Sequence, residues 1–222
     1  MSQSLPIPRA FLFDLDGTLI DSKLDLVNSV NATLRQMGRA ELPTDLVATY
    51  IGRGAPQLVA SALGPEATDD QRHKGLSLFL AHYQFHKLDA TRPYPGVVEG
   101  LDALAAYPMS VLTNKPTDMS LAILQGLGLA RYFRSIYGGD SFEKKKPDPT
   151  GALKILQDHG VPPAQAALVG DSEVDVQTAR NAGMIAVAVN YGFGVHDRAT
   201  YPADIYLDSL TDLVALTQNH CP

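Results

Sequence analysis

The sequence predicts an α/β fold, in which helices cover both faces of a parallel β-sheet and a helical block is inserted after the first strand. From Arg92 onward, short apolar runs alternate with amphipathic segments of helical length, a pattern typical of right-handed crossovers between parallel strands. Residues 22–88 instead contain helical patterns and no clear strand. A chain of 222 residues, 45% of them hydrophobic, is long enough to bury a core in one domain that carries an insertion.

The apolar runs predict a sheet of at least five buried strands, at 10–13, 109–112, 135–137, 166–169 and 185–189. Amphipathic periodicity predicts helices between the later strands, at 97–106, 117–128, 149–159 and 173–182. It also predicts four helices in the inserted block, at 22–38, 44–50, 55–63 and 69–88. The first strand therefore lies apart in sequence from the rest of its sheet.

The inserted block is expected to form a cap domain joined to the core by two short segments near residues 20–22 and 91–96. The second segment, Arg92-Pro93-Tyr94-Pro95-Gly96, has the stiffness and turn chemistry of a domain boundary. We therefore predict a catalytic core formed by residues 1–20 and 93–222, and a helical cap formed by residues 21–92.

Charge and composition favour a cytoplasmic protein that binds neither nucleic acid nor membranes. The net charge is -6 and the pI is about 5.4, and the one dense basic cluster contains only three lysines, 144–146. The N-terminal residues are polar and interrupted by prolines, and no run approaches the roughly 20 apolar residues of a membrane span. The single cysteine, Cys221, has no partner for an internal disulfide.

The most informative motif is Phe13-Asp14-Leu15-Asp16-Gly17-Thr18, where the first predicted strand ends in two aspartates. Side chains beyond the carboxyl ends of parallel strands line the ligand crevice of an open sheet. Two carboxylates placed there repel each other and lose water, and a divalent cation would relieve both costs. The alternative is a solvated turn in which Asp16 caps the segment that follows.

Two further motifs suggest phosphate binding at the same edge of the sheet. Thr113 and Asn114 follow the second core strand, where a hydroxyl and free backbone N–H groups can hold phosphate oxygens; helix capping by either residue is the alternative. Lys146 lies in Lys-Pro-Asp-Pro, where the prolines restrict its backbone and its ammonium group could neutralise a phosphate and a carboxylate. The alternative for the three lysines is a solvated surface, which we retain for Lys144 and Lys145.

A fourth motif, Gly170-Asp171-Ser172-Glu173-Val174-Asp175, joins a buried strand to a helix. Asp171 would end the strand as a hard oxygen ligand for a metal ion, with Asp175 facing it from the first helical turn. Stabilisation of the helix dipole explains Asp175 without a metal. It does not readily explain Asp171.

In chain order, Asp-x-Asp-Gly-Thr, Thr-Asn, Lys-Pro and Gly-Asp-Ser-x-x-Asp resemble the motifs of the haloacid-dehalogenase-like hydrolase superfamily over essentially the whole chain. The resemblance implies a Rossmann-like core with an inserted helical cap. It also implies a Mg²⁺-dependent phosphatase in which Asp14 attacks phosphorus and Asp16 is the general acid and base. Dehalogenases of this superfamily lack the second aspartate, so its presence favours phosphate chemistry.

The resemblance further implies which residues hold the metal and the phosphoryl group. The Asp14 carboxylate, the Asp16 backbone carbonyl and Asp171 would bind Mg²⁺, with Asp175 supporting them. The transferring group would be held by the residues of the second and third motifs, Thr113, Asn114 and Lys146.

Within the superfamily, the chain is most similar to phosphoglycolate phosphatases, through segments such as Tyr94-Pro95-Gly96-Val97 and Thr113-Asn114-Lys115-Pro116. The expected partner is a small phosphorylated metabolite, and the expected state is a monomer or homodimer. The alternative substrates are a sugar phosphate and pyrophosphate. The alternative functions are a phosphomutase of the same superfamily and a non-catalytic module that binds a phosphate ligand.

Substrate choice is expected to depend on the cap, where Gly52 allows close backbone approach and Arg53 could pair with a substrate carboxylate. The alternative places Arg53 in water at a turn between helices. Phe79, Tyr83 and Phe85 are interpreted as helix packing.

Overall fold

The computed structural model describes residues 6–194 and 196–218 of the chain. Its strands are β1 (Ala10–Phe13), β2 (Ile20–Asp21), β3 (Arg92–Pro93), β4 (Met109–Leu112), β5 (Ser135–Tyr137), β6 (Ala166–Gly170), β7 (Ile185–Val189) and β8 (Ile205–Leu207). Its α-helices are α1 (Lys23–Gln36), α2 (Thr44–Ala48), α3 (Ala55–Leu63), α4 (Asp69–His86), α5 (Val97–Ala103), α6 (Thr117–Gly126), α7 (Thr150–His159), α8 (Glu173–Ala182) and α9 (Ala215–Gln218). Three short 3₁₀ helices lie at Ala130–Tyr132, Pro163–Gln165 and Leu210–Val214.

Six strands form one parallel sheet in the order β5-β4-β1-β6-β7-β8. Helices lie on both faces, so the predicted α/β class with a Rossmann-like sheet is confirmed. The order places β1 between β4 and β6, which means that three of the predicted motifs follow neighbouring strands.

The sheet is buried on both faces, which explains why its strands are continuous apolar runs. In β1, Phe11 and Phe13 belong to one hydrophobic cluster, while Ala10 and Leu12 belong to the cluster on the opposite face. Alternate side chains of a strand point to opposite faces of the sheet. Each face is therefore anchored by two side chains of the same central strand.

The predicted element bounds differ from the structure mainly at helix ends. Helix α1 ends at Gln36, and Gly38 then adopts a positive φ of 68°, a conformation that ends a helix and that glycine adopts without strain. Helix α5 ends at Ala103, three residues before its predicted end, and the chain enters β4 after Pro108. The strands β2, β3 and β8 were not predicted, because two or three residues show no measurable periodicity.

The helices α1 to α4, here called the helical insert, connect to the core through β2 and β3. These two strands pair antiparallel, with Ile20 opposite Pro93 and Asp21 opposite Arg92. The chain therefore leaves the core and returns to it along adjacent paths. The division into a core (1–20 and 93–222) and a cap (21–92) stays a prediction.

Two expectations concern the chain's surroundings. Among the helices of residues 6–194 and 196–218, none is long and apolar enough to cross a membrane. Cys221 and the first five residues lie outside the described residues.

The returning end of the helical insert is held by the buried carboxylate of Asp25, at the start of α1. Asp25 is 1% exposed and accepts hydrogen bonds from the backbone N–H groups of Ala90 and Thr91 and from the Thr91 hydroxyl, at 2.7–3.0 Å. Removing the carboxylate would leave these donors without their acceptor in a buried place.

We expect Asp25→Ala to lower the free energy of unfolding by roughly 3 kcal/mol, because buried unpaired donors keep their full desolvation cost. Urea denaturation measures the change. Asp118→Ala is the matched control, since Asp118 also lies in a first helical turn but is exposed. Equal losses in the two variants would contradict the assignment.

Candidate active site

Three of the predicted site residues meet at the carboxyl end of the sheet because they follow neighbouring strands. Asp14 follows β1, Thr113 follows β4 and Asp171 follows β6. All three are buried, with exposures of 6%, 3% and 6%. The structure therefore brings together polar groups that are separated by up to 157 positions in sequence.

The centre of the site is an ammonium group between two carboxylates. Lys146 Nζ lies 2.9 Å from Asp14 Oδ1 and 2.6 Å from Asp175 Oδ1, and all three side chains are at least nine-tenths buried. Burial alone would lower the pKa of Lys146, but the two carboxylates outweigh burial and raise it above its usual range. Lys146 therefore remains charged, and the solvated-surface alternative is wrong for this lysine.

Asp175 has a second role at the start of α8. Its Oδ2 accepts hydrogen bonds from the backbone N–H and the hydroxyl of Ser172, at 3.2 and 2.6 Å. One carboxylate oxygen thus stabilises the helix start while the other contacts Lys146. The helix-terminus explanation of Asp175 is confirmed, and its support of a metal ion stays a prediction.

Asp171 lies close to Asp14 and is held by backbone groups. Its Oδ2 accepts hydrogen bonds from the N–H groups of Phe193 and Gly194, at 3.1 and 2.7 Å. Burial, together with the carboxylates of Asp175 and Asp14, raises the pKa of Asp171 well above its usual range despite these donors. Burial likewise raises the pKa of Asp14 to about 6, against the lowering effect of Lys146.

The three carboxylates of Asp14, Asp171 and Asp175 form a compact donor set, with one oxygen of each within 4.8 Å of the others. The single ammonium group of Lys146 does not balance three carboxylates. Among the described residues, Asp14 Oδ1 has the Lys146 ammonium group as its ion-pair partner and no further hydrogen-bond donor. A hard divalent cation bound by oxygen ligands would supply the missing charge.

Glycines make the close approach to Asp171 possible. A Cβ atom on Gly17, which has a φ of 84°, would lie 1.9 Å from Asp171 Oδ2. A Cβ on Gly192 would lie 2.3 Å from Asp171 Cβ. The carboxylate is thus enclosed by backbone from two distant segments.

Asp16 points away from this cluster, toward the helical insert. Its carboxylate accepts a hydrogen bond from Ser22 Oγ at 2.5 Å and hydrogen bonds from Lys115 Nζ at 2.8 and 3.0 Å. Lys115 also donates to the hydroxyl of Tyr83, in α4, at 2.7 Å. These partners are side chains, so Asp16 is not a helix cap among the described residues.

Asn114 links the helical insert to the core. Its side-chain amide donates to the backbone carbonyls of Gly52 and Lys146, at 3.0 and 3.1 Å. Helix α6 begins after Pro116 without a side-chain cap. Capping by Thr113 or Asn114, the alternative considered for this motif, is therefore wrong.

A cavity of about 40 Å³ lies between the sheet end and the helical insert, which is room for a few water molecules. Asp14, Asp16, Thr113, Asn114 and Lys115 form its polar wall. The apolar wall comes from the insert and from α6, and is formed by Leu26, Ile51, Leu58, Phe79, Tyr83, Pro116 and Met119.

Arg53 lies next to this cavity but does not line it. Its guanidinium donates to Glu173 Oε1 at 2.9 Å, and its side chain is 58% exposed. Gly52, the residue before it, does line the cavity. The structure thus joins Arg53 to the core through Glu173.

Two residues of the site were missed by the sequence analysis. The packing interpretation is confirmed for Phe79 and Tyr83, which are buried and stack on each other, but the Tyr83 hydroxyl also contacts Lys115. The packing interpretation is wrong for Phe85, which is 82% exposed. Lys115 directly follows Thr113 and Asn114, and its place at the end of a buried strand was the signal available for it.

Comparison with known proteins relates the whole chain to one family. The family model described as haloacid dehalogenase-like hydrolase matches residues 11–189. A phosphoglycolate phosphatase of Chromobacterium violaceum is 37% identical, over 95% of this chain and 97% of its own. A phosphoglycolate phosphatase of Aquifex aeolicus is also 37% identical, over 96% of this chain and 98% of its own.

A solved structure shows the same architecture. The crystal structure of a protein described as a predicted phosphoglycolate phosphatase from Haemophilus somnus superposes with a TM-score of 0.89 and 32% identity. The match covers 97% of this chain and all of the other chain. The likeness therefore extends over both the sheet and the helical insert.

The close approach of Gly17 to Asp171 predicts that a side chain at position 17 collides with Asp171, whereas one at position 38 collides with nothing. Gly38→Ala, at a positive φ with nothing within 4 Å, should cost roughly 1–2 kcal/mol of stability through backbone strain alone. Gly17→Ala adds the collision with Asp171 and should cost roughly 1–3 kcal/mol more, as overpacking does. Urea denaturation of both variants measures the losses of stability, and equal losses would contradict the close approach of Gly17 to Asp171.

Proposed function

This chain belongs to the haloacid dehalogenase-like hydrolase family, and we propose that it is a phosphatase that hydrolyses 2-phosphoglycolate through an aspartyl-phosphate. The observation that carries the proposal is the Lys146 ammonium held between Asp14 and Asp175 at the sheet end, beside Asp171. The names and high coverage of the relatives from Chromobacterium violaceum and Aquifex aeolicus support the substrate.

In the first step, a carboxylate oxygen of Asp14 forms a bond to phosphorus while the bond from phosphorus to the ester oxygen breaks. Asp16, in its protonated form, gives its proton to the leaving alkoxide, which departs as glycolate. Asp14 is suited to attack because it is fixed by β1 and faces the cavity.

In the second step, Asp16 takes a proton from a water molecule as the water oxygen attacks phosphorus. The bond between phosphorus and the Asp14 oxygen breaks, phosphate leaves and Asp16 is protonated again. The sum is one ester and one water converted to glycolate and phosphate. Both steps place Asp16 within hydrogen-bond reach of the same oxygen position.

Thr113, Asn114 and Lys146 would hold the transferring phosphoryl group. The Thr113 hydroxyl and the backbone N–H of Asn114 lie at the end of β4, next to Asp14. Lys146 Nζ lies 2.9 Å from the attacking carboxylate and would offset charge on both reacting groups.

Mg²⁺ fits the donor set described above, because three buried carboxylates exceed the charge of one ammonium group and all their ligand atoms are oxygen. Asp14, Asp171 and the Asp16 backbone carbonyl would hold the ion, with Asp175 supporting them through Lys146. When bound, the ion would neutralise negative charge on the phosphoryl group and on Asp14.

We further propose that residues 21–92 act as a cap that moves relative to the core. The cavity beside Asp14 lies between the sheet end and the helical insert, so separation of the insert would widen the access to Asp14. The paired strands β2 and β3 provide the connection about which the insert would move. Gly52, which lines the cavity, would approach the substrate from this side, while Arg53 stays paired with Glu173.

Asp14→Asn should lower kcat by at least roughly 10³-fold, because the amide is a poor nucleophile and cannot form the acyl phosphate. Phosphate release from 2-phosphoglycolate measures the loss, and circular dichroism checks the fold. Asp118→Asn, at an exposed position, should retain full activity. Full activity of Asp14→Asn would exclude the mechanism.

Chelation of divalent cations should abolish phosphate release, and added Mg²⁺ should restore it. Asp171→Asn should weaken Mg²⁺ binding, measured by calorimetry without substrate, by roughly 10- to 100-fold, because it removes one charged ligand. Glu143→Gln, at an exposed acidic position outside the site, is the control. Unchanged Mg²⁺ affinity in Asp171→Asn would contradict the assigned ligand set.

A further inference from the structure

The cavity beside Asp14 contains one positive charge among the described residues that line it, that of Lys115. Lys115 is 6% exposed, and its ammonium group contacts the Asp16 carboxylate and the Tyr83 hydroxyl. It also lies 4.5 Å from the centre of the Tyr83 ring. The sequence analysis gave this lysine no role.

The rest of the cavity is poorly suited to a second anion. Its other charged lining residues are Asp14 and Asp16, and its remaining wall is largely apolar, including Leu58, Phe79 and Met119. A carboxylate placed among these groups without a cation would lose its hydration without compensation. A substrate that carries a carboxylate therefore requires Lys115 or a cation from outside the cavity.

Arg53 is the neighbouring cation, but its geometry is less favourable. It pairs with Glu173, is more than half exposed, and lines a separate depression together with Gln57, Ser61 and Ser172. An exposed ion pair contributes little to recognition, since water screens it. A buried ammonium group such as that of Lys115 discriminates more strongly, because little water screens its charge.

We propose that Lys115 is the specificity-determining residue that binds the carboxylate of the substrate. The inference rests on the proposed hydrolysis of 2-phosphoglycolate. In that molecule the carboxylate carbon is two bonds beyond the ester oxygen, and Asp16 must contact the ester oxygen to protonate it. Lys115 Nζ lies 2.8 Å from Asp16 Oδ1, so a carboxylate at this distance along the substrate reaches the ammonium group.

The contacts of Lys115 allow a substrate carboxylate to replace the Tyr83 hydroxyl as one of its acceptors. One of its three donors binds the neutral Tyr83 hydroxyl, which is a weaker acceptor than a carboxylate. The substrate carboxylate would take this donor while Lys115 keeps its contact with Asp16. The released Tyr83 hydroxyl can then donate to the same carboxylate, so that α4 of the helical insert closes on the bound substrate.

The test compares 2-phosphoglycolate with ethyl phosphate, which lacks the carboxylate. For wild type and for Lys115→Gln, Arg53→Gln and Lys144→Gln, the ratio of the two kcat/KM values is measured with Mg²⁺ present. Lys115→Gln keeps an N–H donor but no charge, and should lower the ratio roughly 10- to 100-fold. Arg53→Gln should leave the ratio within about twofold, as should Lys144→Gln, whose side chain is 69% exposed.

The possible results are separable. A wild-type enzyme that does not favour 2-phosphoglycolate over ethyl phosphate shows that the proposed substrate is wrong. A wild-type preference that survives in Lys115→Gln, or that disappears in Arg53→Gln instead, overturns the role of Lys115 alone. Equal losses on both substrates also overturn it, because they indicate a role through Asp16.

If Lys115→Gln hydrolyses neither ester, the role of Lys115 is tested by binding of the product glycolate to the Mg²⁺-loaded variant. Calorimetry should show glycolate binding at least roughly tenfold weaker than in wild type, with inorganic phosphate binding unchanged. Unchanged glycolate affinity would overturn the inference.

Discussion

The arrangement of the site depends on one buried ammonium group, that of Lys146. Carboxylates crowded at a strand end repel one another, and each buried ion costs several kcal/mol unless it is paired. Lys146 contacts two of them, Asp14 and Asp175, and so makes their burial tolerable. Lys146 does not neutralise the whole cluster, because Asp171 adds a third carboxylate. The same shortage of positive charge that destabilises the isolated protein favours the binding of a cation and a phosphate.

Much of this centre follows from local sequence patterns. An apolar run that ends in Asp14 or Asp171 predicts both a buried strand and the edge at which the carboxylate lies, because parallel strands present their carboxyl ends to one crevice. The neighbouring positions of β4, β1 and β6 then bring the motifs together. The fold class and the position of Thr113 required no information beyond these patterns. Lys146 instead lies in the loop between β5 and α7, and its pairing with Asp175 is a tertiary contact.

The contacts between distant segments were not accessible in this way. Lys115 and Tyr83 are 32 positions apart, and neither the periodicity of α4 nor the loop before α6 indicates that an aromatic hydroxyl meets a buried lysine. The backbone contacts of Asp171 were also not predictable, since Gly192 approaches Asp171 from a loop with no regular periodicity. Arg53 was visible as a charged residue between glycines, but its partner Glu173 depends on how the helical insert sits on the core. Such pairings are set by tertiary packing rather than by local propensity.

The side-by-side exit and return of the chain at β2 and β3 has an evolutionary consequence. Because Asp21 and Arg92 are paired, the ends of the intervening segment are adjacent, and its length or sequence can change without pulling on the sheet. The sheet can therefore stay unchanged while the helical insert varies. The insert can thus change while Lys115 and the carboxylates at the sheet end keep their positions.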